Sequence, residues 1–504
     1  MSNELTPTTR FHLLRTPWLW LILLAHGVYW LTAFPNPDEA YYWLWGQHLD
    51  WSYYDHPPFH AWIQGLFAPL GHSHFVLRLP TLVSNGLFFG AYWQICIYLY
   101  GEWAKQAWMI TVLCCWSSPL YFLFLTLAWQ DQWLITFALW SAYGFIRFLD
   151  GEWQGDKGRS VFLYGAAAAL GLAGLCKYTA VFVGGAALGV VVSQPCLRHL
   201  LRDIRLYGAV AIAALFTLPI LIWNIQNDWL SFQYYLTRSV DSGGGFPLRP
   251  DAVFFFWLTA ALILSPPLVW AMVRSTTILA PLKSPTYRPM ALGLFFISTG
   301  ALSLVGLFST ALYYWNILAY LLLLPLVPLW FLGPTLNAFP PRHWGWLQGM
   351  QILGTIVAWL LVINYCLVPI TALFGPEGDP DGRMSFGWYD VAVEVQDYVE
   401  VQDYAPQLLL TTDYRSASAL AYALNDTTVL AVSERQDQFD VWAKTRSLVG
   451  ESALVLADDW YSFEDQDALR LQPGWKKVKT IPVKRFGIKI KDYYLYTGIV
   501  AKAE

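Results

Sequence analysis

The chain has 504 residues, 56% of them hydrophobic and only 13% charged, with a mean hydropathy of +0.39 and a formal net charge of −4. Soluble domains carry about 25% charged residues, so a chain this long and this apolar reads as a polytopic membrane protein. The near-neutral balance argues against nucleic acid as a partner. The six cysteines (Cys96, Cys114, Cys115, Cys176, Cys196, Cys366) all precede residue 370, at no metal-ligand spacing, and are expected as small core residues.

In chain order, apolar stretches occur at 16–34, 80–99, 107–127, 132–149, 160–175, 178–193, 207–224, 251–273, 289–309, 312–333 and 344–367. Their length suits membrane-spanning helices, about eleven in all. The pair flanking Lys177 is also readable as one long helix. The first stretch lacks a small-residue cleavage site after it and is expected to be a retained span. Basic residues set the orientation: with the N-terminus inside, Arg10, Arg15, Lys105, Arg147, Lys157, Arg159, Arg198, Arg202, Arg205, Arg274, Lys283, Arg288 and Arg342 fall in connections placed in the cytoplasm. The opposite connections hold far fewer, namely Arg78, Lys177, Arg238 and Arg249. The first outer loop (35–79) and the C-terminal part then lie on the extracytoplasmic side of a bacterial inner membrane. From about residue 375 the pattern changes. "TTDYRSASALAYALNDTTVLAVS" reads as strand, helix, strand, "SALVLADD" as a buried strand, and "KKVKTIPVKRFGIKIKDYYLYTGIV" as antiparallel strands, while 387–401 has helical spacing. The expected organisation is a membrane module over 1–370 and a small α/β domain over 371–504.

One stretch of the first outer loop stands apart. "PDEAYYWLWGQHLDWSYYDHPPF" (37–59) holds four carboxylates and two histidines among aromatics, and no lysine or arginine occurs from residue 16 to residue 77. Pro37, Asp38 and Glu39 suit the first turn of a helix, where a proline is tolerated and acids meet the positive end of the dipole. That structural reading leaves Asp50, Asp55, His56 and the missing cations unexplained. A partly desolvated carboxylate without a cation keeps its basicity. Such a group can take a proton from an acceptor hydroxyl or amine. The two prolines after His56 restrict the backbone and hold Asp55 and His56 in one pose. Polar outliers elsewhere fall on the same side by topology: Gln130 and Asp131, Lys177 and Tyr178, the "WNIQNDWLSF" segment with Asn224 and Asn227, and "YYWN" with Asn316. Ionisable residues at membrane depth are costly and usually functional. Each also has a structural reading: Asp131, Asn224 and Asn227 as helix caps, Lys177 as a snorkelling side chain, His56 and His60 as interfacial hydrogen-bonders.

The 37–59 stretch closely resembles the first outer loop of bacterial family 39 glycosyltransferases, GT-C membrane enzymes related to protein O-mannosyltransferases and to the aminoarabinose transferase of lipid A. "LAWQDQWLITFALW", "GLAGLCKYTAV", "IWNIQNDWLSFQY", "MSFGWYDVAVEV" and "TTDYRSASALAYAL" resemble further family segments in the same order, over nearly the whole chain. "AWQDQ" lacks the family's small residue and proline before the aspartate, and "YYWNILAY" lacks its preceding lysine. The resemblance implies a monosaccharide donor on polyprenyl phosphate, an envelope acceptor (lipid, polysaccharide or protein), and inversion at the anomeric carbon in a single displacement. It implies Asp38 as general base and Glu39 as its support or as an acceptor ligand. Lys177 is the expected phosphate ligand, with Arg78 and Arg238 behind it, and Asp55, His56, Asp131, Tyr178, Asn224 and Asn316 are candidate substrate contacts. No cofactor is implied; a divalent metal stays open as an alternative, although no His/Asp spacing spells out a site for one. The rival reading is a transporter or flippase of lipid-linked sugars, which calls for inverted repeats or polar residues on both faces; the charged outliers sit on one.

Overall fold

The computed structural model describes residues 16–500 apart from 157, 240–247, 279–281, 334–342, 376–377, 402–405, 434, 444–447, 449 and 466–473. The chain forms two compact units. One comprises Met1–His26, His56–Phe59 and Thr81–Trp359; the other comprises Gly27–Asp55, His60–Pro80 and Leu360–Glu504. The sequence suggested a division at 370; by contacts, two early stretches group with the C-terminal part.

The first unit is helical. Each of the eleven apolar stretches falls on one helix or on helical segments in close succession. By length and hydropathy, three helices among the described residues are able to cross a membrane, or up to nine if each bent pair is one span. Many large apolar side chains point outward, among them Val161, Val181, Ile204, Phe254 and Phe296. In water such a surface would be a liability; in hydrocarbon it is the expected exterior. The chain is therefore a multi-pass membrane protein. The helix His74–Tyr100 ends at Gly101, whose φ of +58° suits a residue without a Cβ. There the chain reverses into Ala104–Ser117, so that Trp108 donates from its indole to the Phe89 carbonyl and packs edge-on against Trp93.

One helix break in this unit is hydrogen-bonded from side chains. Pro119–Thr126 and Gln130–Trp153 meet at 105°. Across this break Thr81 donates to the Leu127 carbonyl, Asn85 to the Leu125 carbonyl, and Gln132 to the Asn85 Oδ1. A freed backbone carbonyl in hydrocarbon costs several kcal/mol unless paired, so these buried polar residues are part of the bend. A second break lies at Lys177. Its extended backbone (φ −161°, ψ 142°) separates Ser160–Cys176 from the short turn Tyr178–Ala180 and the helix Val181–Ser193, which settles the question of one helix or two.

The second unit holds the only sheet among the described residues. Its strands are β1 (Leu408–Thr411), β2 (Leu430–Ala431), β3 (Ser452–Asp458), β4 (Lys476–Arg485) and β5 (Ile488–Ile499), in the order β2-β1-β3-β5-β4. β2, β1 and β3 are parallel, β5 and β4 antiparallel. The helix Tyr414–Leu424 carries the β1-to-β2 crossover. β3 is buried at every position after Ser452, as befits a central strand covered on both faces, whereas β4 alternates as an edge strand. Leu408, Leu410, Val455, Ala457, Phe463 and Tyr496 form one core face. Trp388–Val401 is the helix expected over 387–401. The small α/β domain read from the sequence is present.

Candidate active site

The first-loop stretch begins with the helix Pro37–Gln47, fixed at its start by a reciprocal cap. The Asn36 side chain accepts from the Asp38 and Glu39 amides at 2.9 and 3.3 Å, and the Glu39 carboxylate accepts from the Asn36 amide at 3.0 Å. Glu39 is fully buried and meets an equally buried Arg78. Nε donates to Oε1 at 2.9 Å and one terminal nitrogen to Oε2 at 2.7 Å. The other terminal nitrogen donates to the carbonyls of Tyr29, Trp30 and Ala33, at the end of the helix Pro17–Thr32. The acid that looked uncompensated thus has its cation one residue past the counted window. This corrects two expectations. Arg78 is sequestered by Glu39 and three carbonyls, with no surface left for a phosphate. Glu39 is spent on the fold, with no surface left for an acceptor.

Asp38 differs. It is half-buried on the same first turn, and its charge is felt by Tyr414 at the start of Tyr414–Leu424. Burial, then Asp38, push the Tyr414 hydroxyl up from its ordinary range, while Arg435 and Arg415 pull it down. The Tyr414 ring lies 4.8 Å from the Arg435 guanidinium and 5.0 Å from Tyr41. Asp55 is 7% exposed. It bears on Asp437, whose carboxyl is pushed up to about 8 by burial first and then by the charges of Asp440 and Asp55. Next to Asp437, Gln438 joins the C-terminal domain to the loop: its amide donates to the Tyr41 hydroxyl at 3.0 Å, and its Oε1 accepts from the Tyr54 amide at 2.8 Å. His60 is buried, 3.4 Å from the Gln64 amide nitrogen and edge-on to Tyr42. Tyr414, Arg435 and Gln438 were not singled out from the sequence; "TTDYRS" was noticed only as a segment.

In the helical unit, Lys177 and Asp131 form a buried ion pair at 2.8 Å, with side-chain exposures of 10% and 3%. Asp131 sits in the first turn of Gln130–Trp153, where a negative charge is favoured. The Lys177 ammonium also lies 5.6 Å from the Tyr314 ring centre. Tyr178 packs edge-on against Tyr235, whose hydroxyl lies 3.3 Å from His56 Nδ1. Asn224 is buried and donates to the Ile220 carbonyl in its own helix. Asn316, expected as a substrate contact, is instead occupied within the fold: it accepts from Ser298 and donates to Thr299 and Tyr320. Arg238 belongs to the helix Leu230–Ser239, with its side chain outside the described residues. Beside Tyr178 and Phe232 runs an apolar cavity of about 590 Å³, lined along its length by Leu170, Val181, Leu188 and Val210. Among the described residues no three His, Cys, Asp or Glu side chains group as metal ligands.

Comparison with known proteins bears on this architecture. Over 97% of this chain and 98% of the other, the structure is similar to that of ArnT from Cupriavidus metallidurans bound to undecaprenyl phosphate, with a TM-score of 0.62 at 15% identity. The apo form of the same protein gives 0.61, over 99% and 100% of the two chains. The chain has the GT-C fold. The family model described as dolichyl-phosphate-mannose-protein mannosyltransferase matches residues 55–223 of this chain, starting after Asp38 and Glu39. A lipid A galacturonosyltransferase, RgtD of Rhizobium johnstonii, is 26% identical over 245 residues, which is 47% of this chain. The match spans about half (49%) of that relative's length.

Proposed function

We propose that the chain is a membrane glycosyltransferase that moves a monosaccharide from a polyprenyl-phosphate donor to an envelope acceptor, at the extracytoplasmic face of a bacterial inner membrane. The observation that carries the reading is the separation of the two first-loop acids: Glu39 is neutralised and fully buried, while Asp38 is only half-buried, at the same helix start, where its charge is felt by Tyr414. Asp38 is the general base. It takes the proton of the acceptor hydroxyl or amine as that atom bonds to the anomeric carbon. The bond from that carbon to the phosphate oxygen breaks on the opposite side, so configuration inverts, and its electron pair leaves with polyprenyl phosphate. The leaving group is a weak base and needs positive charge rather than a proton. Lys177, oriented by Asp131, supplies that charge, and the apolar cavity beside Tyr178 takes the prenyl chain. The fold likeness to a protein crystallised with undecaprenyl phosphate and the local likeness to a lipid A galacturonosyltransferase support a lipid-linked donor and an envelope acceptor.

The test is Asp38→Asn in purified protein, given lipid-linked sugars and an acceptor extract and read as polyprenyl phosphate released. Positioned acid–base catalysis contributes typically about 10²–10⁴-fold. Turnover should fall by at least that lower bound, with donor binding unchanged. A wild type that releases none with any donor, yet moves intact lipid-linked sugar across a vesicle membrane, would make the transporter reading the correct one.

A further inference from the structure

The β4–β5 hairpin ends in a two-residue turn, Phe486–Gly487, with Arg485 facing Ile488 across it. Both turn residues have positive φ, 51° and 79°, as a tight hairpin of this twist demands. The first of these positions favours Asn, Asp or Gly, because a Cβ is strained there, and a bulky aromatic is an outlier. Phe486 is also 78% exposed, so no packing in the fold offsets the strain. Around it the charge is of one sign. From 475 to 491 there are seven lysines and arginines and no carboxylate. Lys479 and Lys491 find carboxylates on other segments, Glu394 and Asp458, and Lys489 finds Asp492 three residues on. Lys484 and Arg485, next to the tip and exposed, make no ion pair among the described residues. Lysines and the proline at 482 on β4 have an ordinary use, since they stop an edge strand from pairing with another chain. That use does not extend to the tip, where pairing has ended and a phenylalanine stands in a glycine's conformation.

We propose that this tip is a bilayer-surface contact: Phe486 enters the headgroup region of an anionic membrane, and Lys484 and Arg485 bind its phosphates. A soluble polyanion would be served by the cations alone; an exposed ring beside them suits a surface where an apolar phase adjoins the anions. The contact is independent of the reaction assigned above.

An environment-sensitive nitrobenzoxadiazole probe tests this in the full chain. It is placed at Phe486→Cys with Cys196→Ser and Cys366→Ser, the other four cysteines being buried. In nanodiscs containing phosphatidylglycerol the emission should be blue-shifted and quenched by lipids spin-labelled near the headgroup, and less so in phosphatidylcholine alone. The same probe at Thr480→Cys, exposed far along β4, should report water in both. One basic residue near an anionic surface contributes about fivefold in occupancy. Lys484→Glu with Arg485→Glu should therefore cut quenching at 486 by more than tenfold. Phe486→Asn fits the turn and serves as the folding control: it should raise the melting temperature in detergent. The proposal is overturned if the probe at 486 reports water in both lipids, or if its blue shift appears in detergent only when anionic acceptor extract is added, which would mark the tip as an acceptor contact.

Discussion

Glu39→Gln is the sharpest test of how the first-loop acids divide. The change keeps the shape and removes the charge, and it turns one Arg78 acceptor into a donor facing a donor. Arg78 then stays fully buried with a lost partner, while still holding the carbonyls of Tyr29, Trp30 and Ala33. Removing one partner of a buried pair costs about 3–5 kcal/mol. The unit that contains both residues has about 200 residues, a size at which 1 kcal/mol moves the melting temperature by about 2–4 °C. The expected loss is therefore about 6–20 °C in detergent, followed by tryptophan fluorescence. Asp38→Asn should behave otherwise. Asp38 is only half-buried, and its interaction with the helix start is worth about 0.3–1 kcal/mol, so melting should move by less than about 4 °C while turnover collapses. Activity must be expressed per folded molecule. If Glu39→Gln melts with the wild type but is catalytically dead, Glu39 acts on substrate and the structural assignment of the Glu39–Arg78 pair is wrong.

Lys177→Ala should weaken polyprenyl-phosphate binding by about ten- to a hundredfold, the worth of a charge-assisted hydrogen bond, and destabilise the helical unit by stranding Asp131. The pair Lys177→Met with Asp131→Leu should restore melting but not donor binding; restored binding would remove Lys177 from the phosphate role. Asp437 binds its proton more tightly in the fold than in the unfolded chain, so its contribution is fully favourable below the ordinary carboxylate range and is lost as pH rises towards 8. Its share of the slope is at most about 1.4 kcal/mol per pH unit, and Asp437→Asn should flatten the melting temperature between pH 5 and pH 8. Asn36→Ala removes the cap of the Pro37–Gln47 helix and should cost about 0.5–2 kcal/mol, with Asn36→Asp close to wild type in chemical denaturation.

What the sequence made legible was whatever depends on neighbours along the chain. The apolar stretches became helices because their length and composition leave a membrane chain no other way to satisfy its backbone. The strands of the C-terminal domain followed from alternation and from the buried run at 452–458. Side-chain partners were not legible, because they depend on return paths. Asp131 and Lys177 were each noticed, but nothing in their spacing says that a broken helix brings them to 2.8 Å. Tyr414 and Gln438 lie hundreds of residues from the loop they contact, in segments whose own patterns speak only of an α/β fold. Asn316 drew attention as a polar residue in an apolar stretch, yet its hydrogen bonds to Ser298, Thr299 and Tyr320 are what such a residue needs merely to be buried.

The first loop shows why a window of charges is a poor guide to compensation. Counting from residue 16 to residue 77 gave four first-loop acids and no cation, so that Asp38 and Glu39 both read as uncompensated, although different roles were expected of them. In a helix, adjacent residues project about 100° apart, so two neighbouring acids cannot face the same surroundings. The cap geometry fixes which goes where. The third helical position folds its side chain back on the Asn36 amide and so turns Glu39 towards Pro17–Thr32 and Arg78. The second position is left turned away from that pair, and the charge of Asp38 is felt by Tyr414 instead. An exchange of the two residues, Asp38→Glu with Glu39→Asp, should therefore fail on both counts. The shorter acid at 39 falls short of Arg78, and the longer one at 38 displaces the carboxylate by the length of a methylene, a shift large enough to impair proton transfer. Loss of stability and of turnover together in that double variant is the outcome this geometry requires; a swap that keeps stability would refute the assignment of position 39, and one that keeps turnover that of position 38.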